Sequence, residues 1–115
     1  LYYRKERKEH GVRKKIEGKM ELNDRILMID DLITTGKSVI QAAEAVREQG
    51  GLVTELVVLL DREQGGREFI LSNNIRPHVL FTVSDAFKWL NEVKMLNDDD
   101  YKVIMDYINE EKKLI

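Results

Sequence analysis

The sequence predicts an α/β fold, a parallel sheet with flanking helices, on three observations. Short apolar runs at 25–30, 53–60 and 78–83 alternate with stretches of helical periodicity. Turn or cap residues separate every run from the next stretch. The least ordinary polar residues gather at the C-terminal ends of the first two runs, where open parallel sheets bind their ligands.

Residues 4–15 carry seven basic and two acidic side chains, +5, which leaves the remainder with 12 basic against 19 acidic, or -7. Gly11 interrupts this segment and no apolar face repeats at helical spacing, so a mobile loop is expected over 4–17. Asn23-Asp24 form a polar turn. Ile26, Leu27, Met28 and Ile29 are four consecutive apolar residues between turn signals, the pattern of a strand buried on both faces. It ends at Asp30-Asp31 and runs into Thr34-Thr35-Gly36-Lys37-Ser38. Val39, Ile40, Ala43, Val46 and Arg47 then have amphipathic helical spacing, stopped by Gly50-Gly51. A second buried strand at 53–60 leads to Asp61-Arg62-Glu63-Gln64-Gly65-Gly66, and a short helix over 67–74 ends at Asn73-Asn74. Pro77 precedes the third strand, 78–83. Helices are expected over 85–95 and, after the cap region Asn97-Asp98-Asp99-Asp100, over 98–112. The alternating order requires right-handed crossovers.

With 115 residues the chain fits one domain. Its 43% hydrophobic and 35% charged content supports a packed core. The absence of cysteine excludes disulfides and thiolate chemistry, and two histidines argue against a multi-histidine metal centre. No apolar run reaches the roughly 18 residues of a membrane span, so a soluble protein is expected; its expected location is cytoplasmic. The chain opens on Leu1 rather than methionine, with the expectation that it is cut from a longer protein. Tyr2, Tyr3, Met20, Phe69 and Trp89 read as packing residues and His78 as structural.

The segment 34–38 joins a buried strand to a helix with small and hydroxyl residues. Such a turn presents several free backbone N–H groups to one anion, helped by the helix dipole. Asp30-Asp31 beside it can accept hydrogen bonds from sugar hydroxyls or hold a hydrated Mg²⁺. Taken alone, the two acids also read as an ordinary capping turn; the whole string is more specific. Gly36-Lys37-Ser38 is not a P-loop, because Asp31 stands where that motif needs glycine. Arg62 at a strand end suits a carboxylate, which its fork can bind bidentately.

Residues 26–38, ILMIDDLITTGKS, resemble the phosphoribosyl pyrophosphate (PRPP) signature of type I phosphoribosyltransferases. Residues 4–11, RKERKEHG, are similar to the flexible catalytic loop of orotate phosphoribosyltransferases, and residues 60–66, LDREQGG, to their orotate-reaching segment, especially in uridine monophosphate synthases. The motifs cover 4–66 in the family's order; the tail to about residue 112 is compatible with it. The resemblance implies the C-terminal portion of a single phosphoribosyltransferase domain over 1–115, lacking the N-terminal part, with the catalytic loop at 4–17, the site at 25–66 and terminal helices at 84–112.

By that resemblance, PRPP and orotate yield orotidine 5'-monophosphate and pyrophosphate in pyrimidine biosynthesis. Asp30 and Asp31 face the ribose hydroxyls, and Thr34, Thr35, Gly36, Lys37 and Ser38 cradle the 5'-phosphate. Thr34 and Arg62 contact orotate. Arg4, Lys5, Lys8 and His10 close over the pyrophosphate, with Lys8 and His10 stabilising the leaving group. Mg²⁺ is expected as cofactor, held mainly by PRPP rather than by a protein metal site. A homodimer with shared active sites is expected, with no nucleic-acid or membrane partner. Lys37 departs from the family, where a small residue is common. Two other readings exist. A non-catalytic PRPP-sensing module has little use for Lys8 and His10, and a nucleic-acid-binding arm over 4–15 lacks interleaved aromatics for stacking.

Overall fold

A computed structural model describes residues 2–8 and 11–114, with side chains described from residue 18 onward. In chain order the elements are β1 (Tyr2–Lys8), β2 (Gly11–Glu17), β3 (Arg25–Ile33), α1 (Lys37–Glu48), β4 (Leu52–Asp61), α2 (Gly66–Ser72), β5 (Arg76–Thr82), α3 (Val83–Glu92) and α4 (Asp98–Lys112). β3, β4 and β5 form a parallel sheet in that order, and β1 and β2 a separate antiparallel ribbon. Among the described residues no helix is long and apolar enough to cross a membrane.

The register sets Met28, Leu56 and Pro77 side by side, then Asp30, Val58 and Val79. This face packs against α1 and α2. Leu56, Val58, Ile70, Ile75 and Ala43 are wholly buried there, with Met20, Met28 and Phe69 at the margin. α1 contributes Val39, Ile40, Ala42, Ala43 and Val46, the stripe its periodicity predicts. Arg47 ties the layers together by donating from Nη2 to the Val53 carbonyl at 2.8 Å.

The opposite face differs from expectation. Leu27, Ile29, Leu59 and Leu80 lie between 51% and 77% exposed, so β3 is buried on one face only. The apolar run identifies a strand that can be covered twice. The described helices cover it once. Trp89, expected to pack, is likewise 59% exposed.

The segment 4–17 also differs from the expected loop: it is a hairpin with Tyr3 opposite Ile16, Glu6 opposite Arg13 and Arg7 opposite Val12. Ladder hydrogen bonds join backbones and do not require an apolar face.

At the other end, β5 stops at Thr82, a residue earlier than expected, and α3 begins two residues earlier. The cause is a capping box: Thr82 Oγ1 accepts from Asp85 N and Asp85 Oδ2 accepts from Thr82 N, both at 3.1 Å. α4 starts as the cap region predicts, with Asn97 Oδ1 accepting from Asp100 N at 2.8 Å. Asp98, Asp99 and Asp100 fall in its first turn, where the helix dipole favours negative charge.

Candidate active site

β3 carries its ladder three residues past Asp30, to Ile33, so Asp30 and Asp31 lie within the strand rather than after it. Asp30 is half-buried and Asp31 exposed. Asp31 N donates to Asp30 Oδ1 at 2.8 Å, fixing the Asp30 carboxylate against its own backbone. Burial pushes the Asp30 carboxyl above its ordinary 3.8, and the neighbouring Asp31 carboxyl adds to the rise, outweighing the backbone hydrogen bonds that oppose it.

Ile33 anchors the strand end in the core, and the chain then turns through Thr34 and Thr35 to Gly36, which caps α1 in the left-handed region at φ 84°. The first helical bond runs from Ile40 N to Gly36 O. The N–H groups of Lys37, Ser38 and Val39 therefore lack intrahelical acceptors, and no side chain caps them. They are available to an anion, as the sequence pattern requires.

The loop after β4 is laid directly against this turn. A Cβ on Gly66 would sit 2.5 Å from the Thr34 carbonyl oxygen, and one on Gly36 would meet the Gly66 carbonyl oxygen at 3.0 Å. The glycines of the two motifs are thus mutually required: backbone meets backbone with no room for a side chain. Arg62 N donates to Ile33 O at 3.0 Å and joins the strand ends. The structure so brings together Asp30, Asp31, residues 34–38 and Arg62. Arg4, Lys5 and Lys8 belong to β1, where backbone alone is described, and His10 lies outside the described residues.

No family model matches the chain. Individual proteins do. Bos taurus uridine 5'-monophosphate synthase is 37% identical over 110 residues, 96% of this chain and 23% of the relative. Orotate phosphoribosyltransferase of Pyrococcus abyssi is 44% identical over 88 residues, 76% of this chain and 48% of the relative. The chain belongs to the orotate phosphoribosyltransferase family. It spans about half the length of the monofunctional relative. Among solved structures, Leishmania donovani UMP synthase superposes on 82% of this chain and 21% of its own with TM-score 0.74 at 23% identity, a likeness of fold. Mycobacterium tuberculosis orotate phosphoribosyltransferase in complex with PRPP gives TM-score 0.53 at 31% identity over 57% of this chain and 40% of its own. The type I phosphoribosyltransferase fold expected from the sequence is confirmed.

Within this orotate phosphoribosyltransferase framework, further residues lie beside the candidate site to which the sequence assigned no role of their own. Asp61 is 4% exposed; its Oδ1 accepts from Glu63 N at 2.8 Å and its Oδ2 faces Arg67 Nε at 3.4 Å. Glu63 takes a left-handed φ of 59° and accepts from Ser84 N at 3.0 Å while pairing with Lys112. Burial alone would raise the Glu63 carboxyl. Lys112, Ser84 and Thr82 overcome it and bring the value from 4.5 down to about 2. Lys112 stands 49 positions away in sequence, and no local pattern links it to Glu63. The one available signal was the string Asp61-Arg62-Glu63, three charges at a strand end.

Proposed function

We propose that the chain forms the PRPP- and orotate-binding part of an orotate phosphoribosyltransferase, transferring phosphoribosyl from PRPP to orotate to give orotidine 5'-monophosphate and pyrophosphate. The observation that carries this reading is the backbone contact between residues 34–36 and Gly66. It sets a phosphate-binding turn and an arginine for a carboxylate at one sheet end, as a ribose 5-phosphate joined to orotate demands. Similarity to an enzyme solved with PRPP supports the same assignment.

In this mechanism the bond from ribose C1 to the pyrophosphate oxygen breaks and its electron pair leaves with pyrophosphate. A ring nitrogen of orotate forms the new bond to C1 and gives up its N–H proton to solvent. Positive charge develops on the ribose ring, and the protein's work is positioning and charge stabilisation. Asp30 and Asp31 accept hydrogen bonds from the ribose hydroxyls and place negative charge beneath the ring. The turn over Thr34, Thr35, Gly36, Lys37 and Ser38 holds the 5'-phosphate, with the free N–H groups of Lys37, Ser38 and Val39 at the helix start and the Lys37 ammonium and the Thr34, Thr35 and Ser38 hydroxyls nearby. Arg62, with Thr34, orients the orotate carboxylate. Arg4, Lys5 and Lys8 balance the leaving pyrophosphate, and His10 supplies a proton to it. The paired carboxylates of Asp30 and Asp31 are hard oxygen donors compatible with a hydrated Mg²⁺ carried by PRPP. Held mainly by PRPP, such an ion would supply charge neutralisation to the leaving pyrophosphate. The active unit is a homodimer in which the basic segment of one protomer serves the partner's site.

Calorimetric titration with PRPP and Mg²⁺ tests the reading. Saturable binding is expected in the wild type and loss of at least about a hundredfold in affinity in Asp30→Asn/Asp31→Asn, the scale of two charge-assisted hydrogen bonds. Undiminished affinity in the double variant would remove residues 30–31 from the ribose site.

A further inference from the structure

Arg62, the residue read as the orotate contact, is exposed. Beside it opens a cavity of about 550 Å³ whose lining includes Asp61, Glu63, Arg67, Thr82 and Lys112. The loop over 62–65 borders this space and is held by polar contacts on both sides. Its N-terminal side is fixed by Arg62 N on Ile33 O. Its next residue, Glu63, sends its side chain inward, with only 11% exposed, into a crevice between two helices. There the carboxylate accepts from Ser84 N in the first turn of α3, where the dipole favours an anion, and pairs with Lys112 in the last turn of α4. A second link runs parallel: Gln64 Nε2 donates to Glu111 Oε2 at 3.4 Å. Ile108, one turn earlier and 7% exposed, is the buried residue of α4, so the helix is seated by an apolar contact before its polar end reaches the loop.

We infer that Glu63 is a positioning residue for Arg62, and that the last turn of α4, through Lys112, sets the geometry of the orotate subsite. This rests on the reading of Arg62 as the orotate contact. The backbone supports the role as well: a non-glycine residue held at φ 59° is costly unless its surroundings fix it, and here Asp61, Ser84 and Lys112 do so. Turning the chain left-handed at Glu63 drives its side chain into the crevice while its neighbour Arg62 faces solvent at the strand ends. The C-terminal helix therefore has a task in substrate recognition although none of its residues reaches the turn at 34–38 in the described hydrogen bonds and ion pairs.

The test compares wild type, Lys112→Met, Lys112→Arg and Arg62→Ala. Amide hydrogen exchange in residues 62–66 should rise about tenfold in Lys112→Met, the scale of one lost charge-assisted contact, with β4 unchanged, and Lys112→Arg should restore protection. Affinity for orotidine 5'-monophosphate should fall about tenfold in Lys112→Met while affinity for ribose 5-phosphate, which lacks the orotate group, stays within about twofold. Unchanged exchange in Lys112→Met would overturn the bracing. Equal weakening toward both ligands, or toward neither, would overturn the positioning role. Undiminished orotidine 5'-monophosphate affinity in Arg62→Ala would instead overturn the orotate reading, and the exchange result separates that failure from the first.

Discussion

The loops after β3 and β4 are built alike and used differently. Each leads from a parallel strand to a helix through a glycine in the left-handed region, Gly36 at φ 84° and Gly65 at φ 87°, and neither helix has a side-chain cap. Their carboxylates part company. Asp61 and Glu63 in the second loop are buried or nearly so and are paired with Arg67 and Lys112. Asp30 and Asp31, within β3 just before the first loop, form no ion pair among the described residues; burial and mutual repulsion push the Asp30 carboxyl up. One loop has its charges satisfied internally and serves as a brace. The other leaves its carboxylates without an ion pair among the described residues, the arrangement that the proposed ribose site requires.

The sharpest way to break the comparison is to push the two loops apart. Gly66→Ala places a Cβ 2.5 Å from the Thr34 carbonyl, a contact with backbone that no side-chain rotation relieves. A loss of about 1–3 kcal/mol in unfolding free energy is expected, with weaker PRPP binding because the turn at 34–36 must move. Gly65→Ala is the control. Its strain is that of one left-handed residue, about 1–2 kcal/mol, and its effect on PRPP affinity should be smaller. Denaturant melts and titrations of both variants decide it; equal ligand effects would show that the backbone contact does not couple the loops.

How much of this was legible in sequence follows from the range of each interaction. The β3 string, the α1 stripe and the Asn97 cap act within a few residues, so pattern alone places them. Thr82 and Asp85 were equally local, but the apolar run through Val83 masked the capping box that ends β5. The glycine pairs at 36 and 66 were visible as motifs. Their reason, mutual exclusion of a Cβ, appears only when strands 28 register positions apart lie side by side, as Met28 does with Leu56. Glu63 and Lys112 escaped because a single acid and a single lysine carry no pattern. The bare face of Leu27, Ile29, Leu59 and Leu80 escaped for another reason: hydrophobicity reports that a surface can be covered, not which element covers it. In the ribbon, consecutive charges at 4–8 and 13–15 hide any alternation that would mark a strand.

A smaller effect tests the bracing loop by pH. The folded value of Glu63 lies below its ordinary 4.5, at about 2. Its contribution is therefore complete above pH 4.5 and is lost as pH falls from there toward 2. The shift caps that contribution near 3 kcal/mol, and screening at its exposed edge brings it to about 1 kcal/mol. Wild type should lose this increment between pH 4.5 and 2 relative to Glu63→Gln, measured by denaturant melts at matched ionic strength. Parallel curves would mean that Lys112 and Ser84 do not hold the carboxylate.

The smallest effect has the opposite sign and concerns the open loop. The folded value of Asp30 lies above its ordinary 3.8, so ionisation there works against folding. That cost is absent below pH 3.8 and complete above the raised folded value. Asp30→Asn removes the charge and keeps an oxygen to accept from Asp31 N. At neutral pH the variant should equal or exceed wild type in stability by about 0.5 kcal/mol or less, with the difference vanishing near pH 3. The same substitution removes the acceptor charge proposed for the ribose hydroxyls. A variant that melts no lower yet binds PRPP far less tightly would show that Asp30 is kept for its ligand at the expense of the fold. A marked loss of stability at pH 7 would place Asp30 with Asp61 among the structural carboxylates and erase the contrast between the loops.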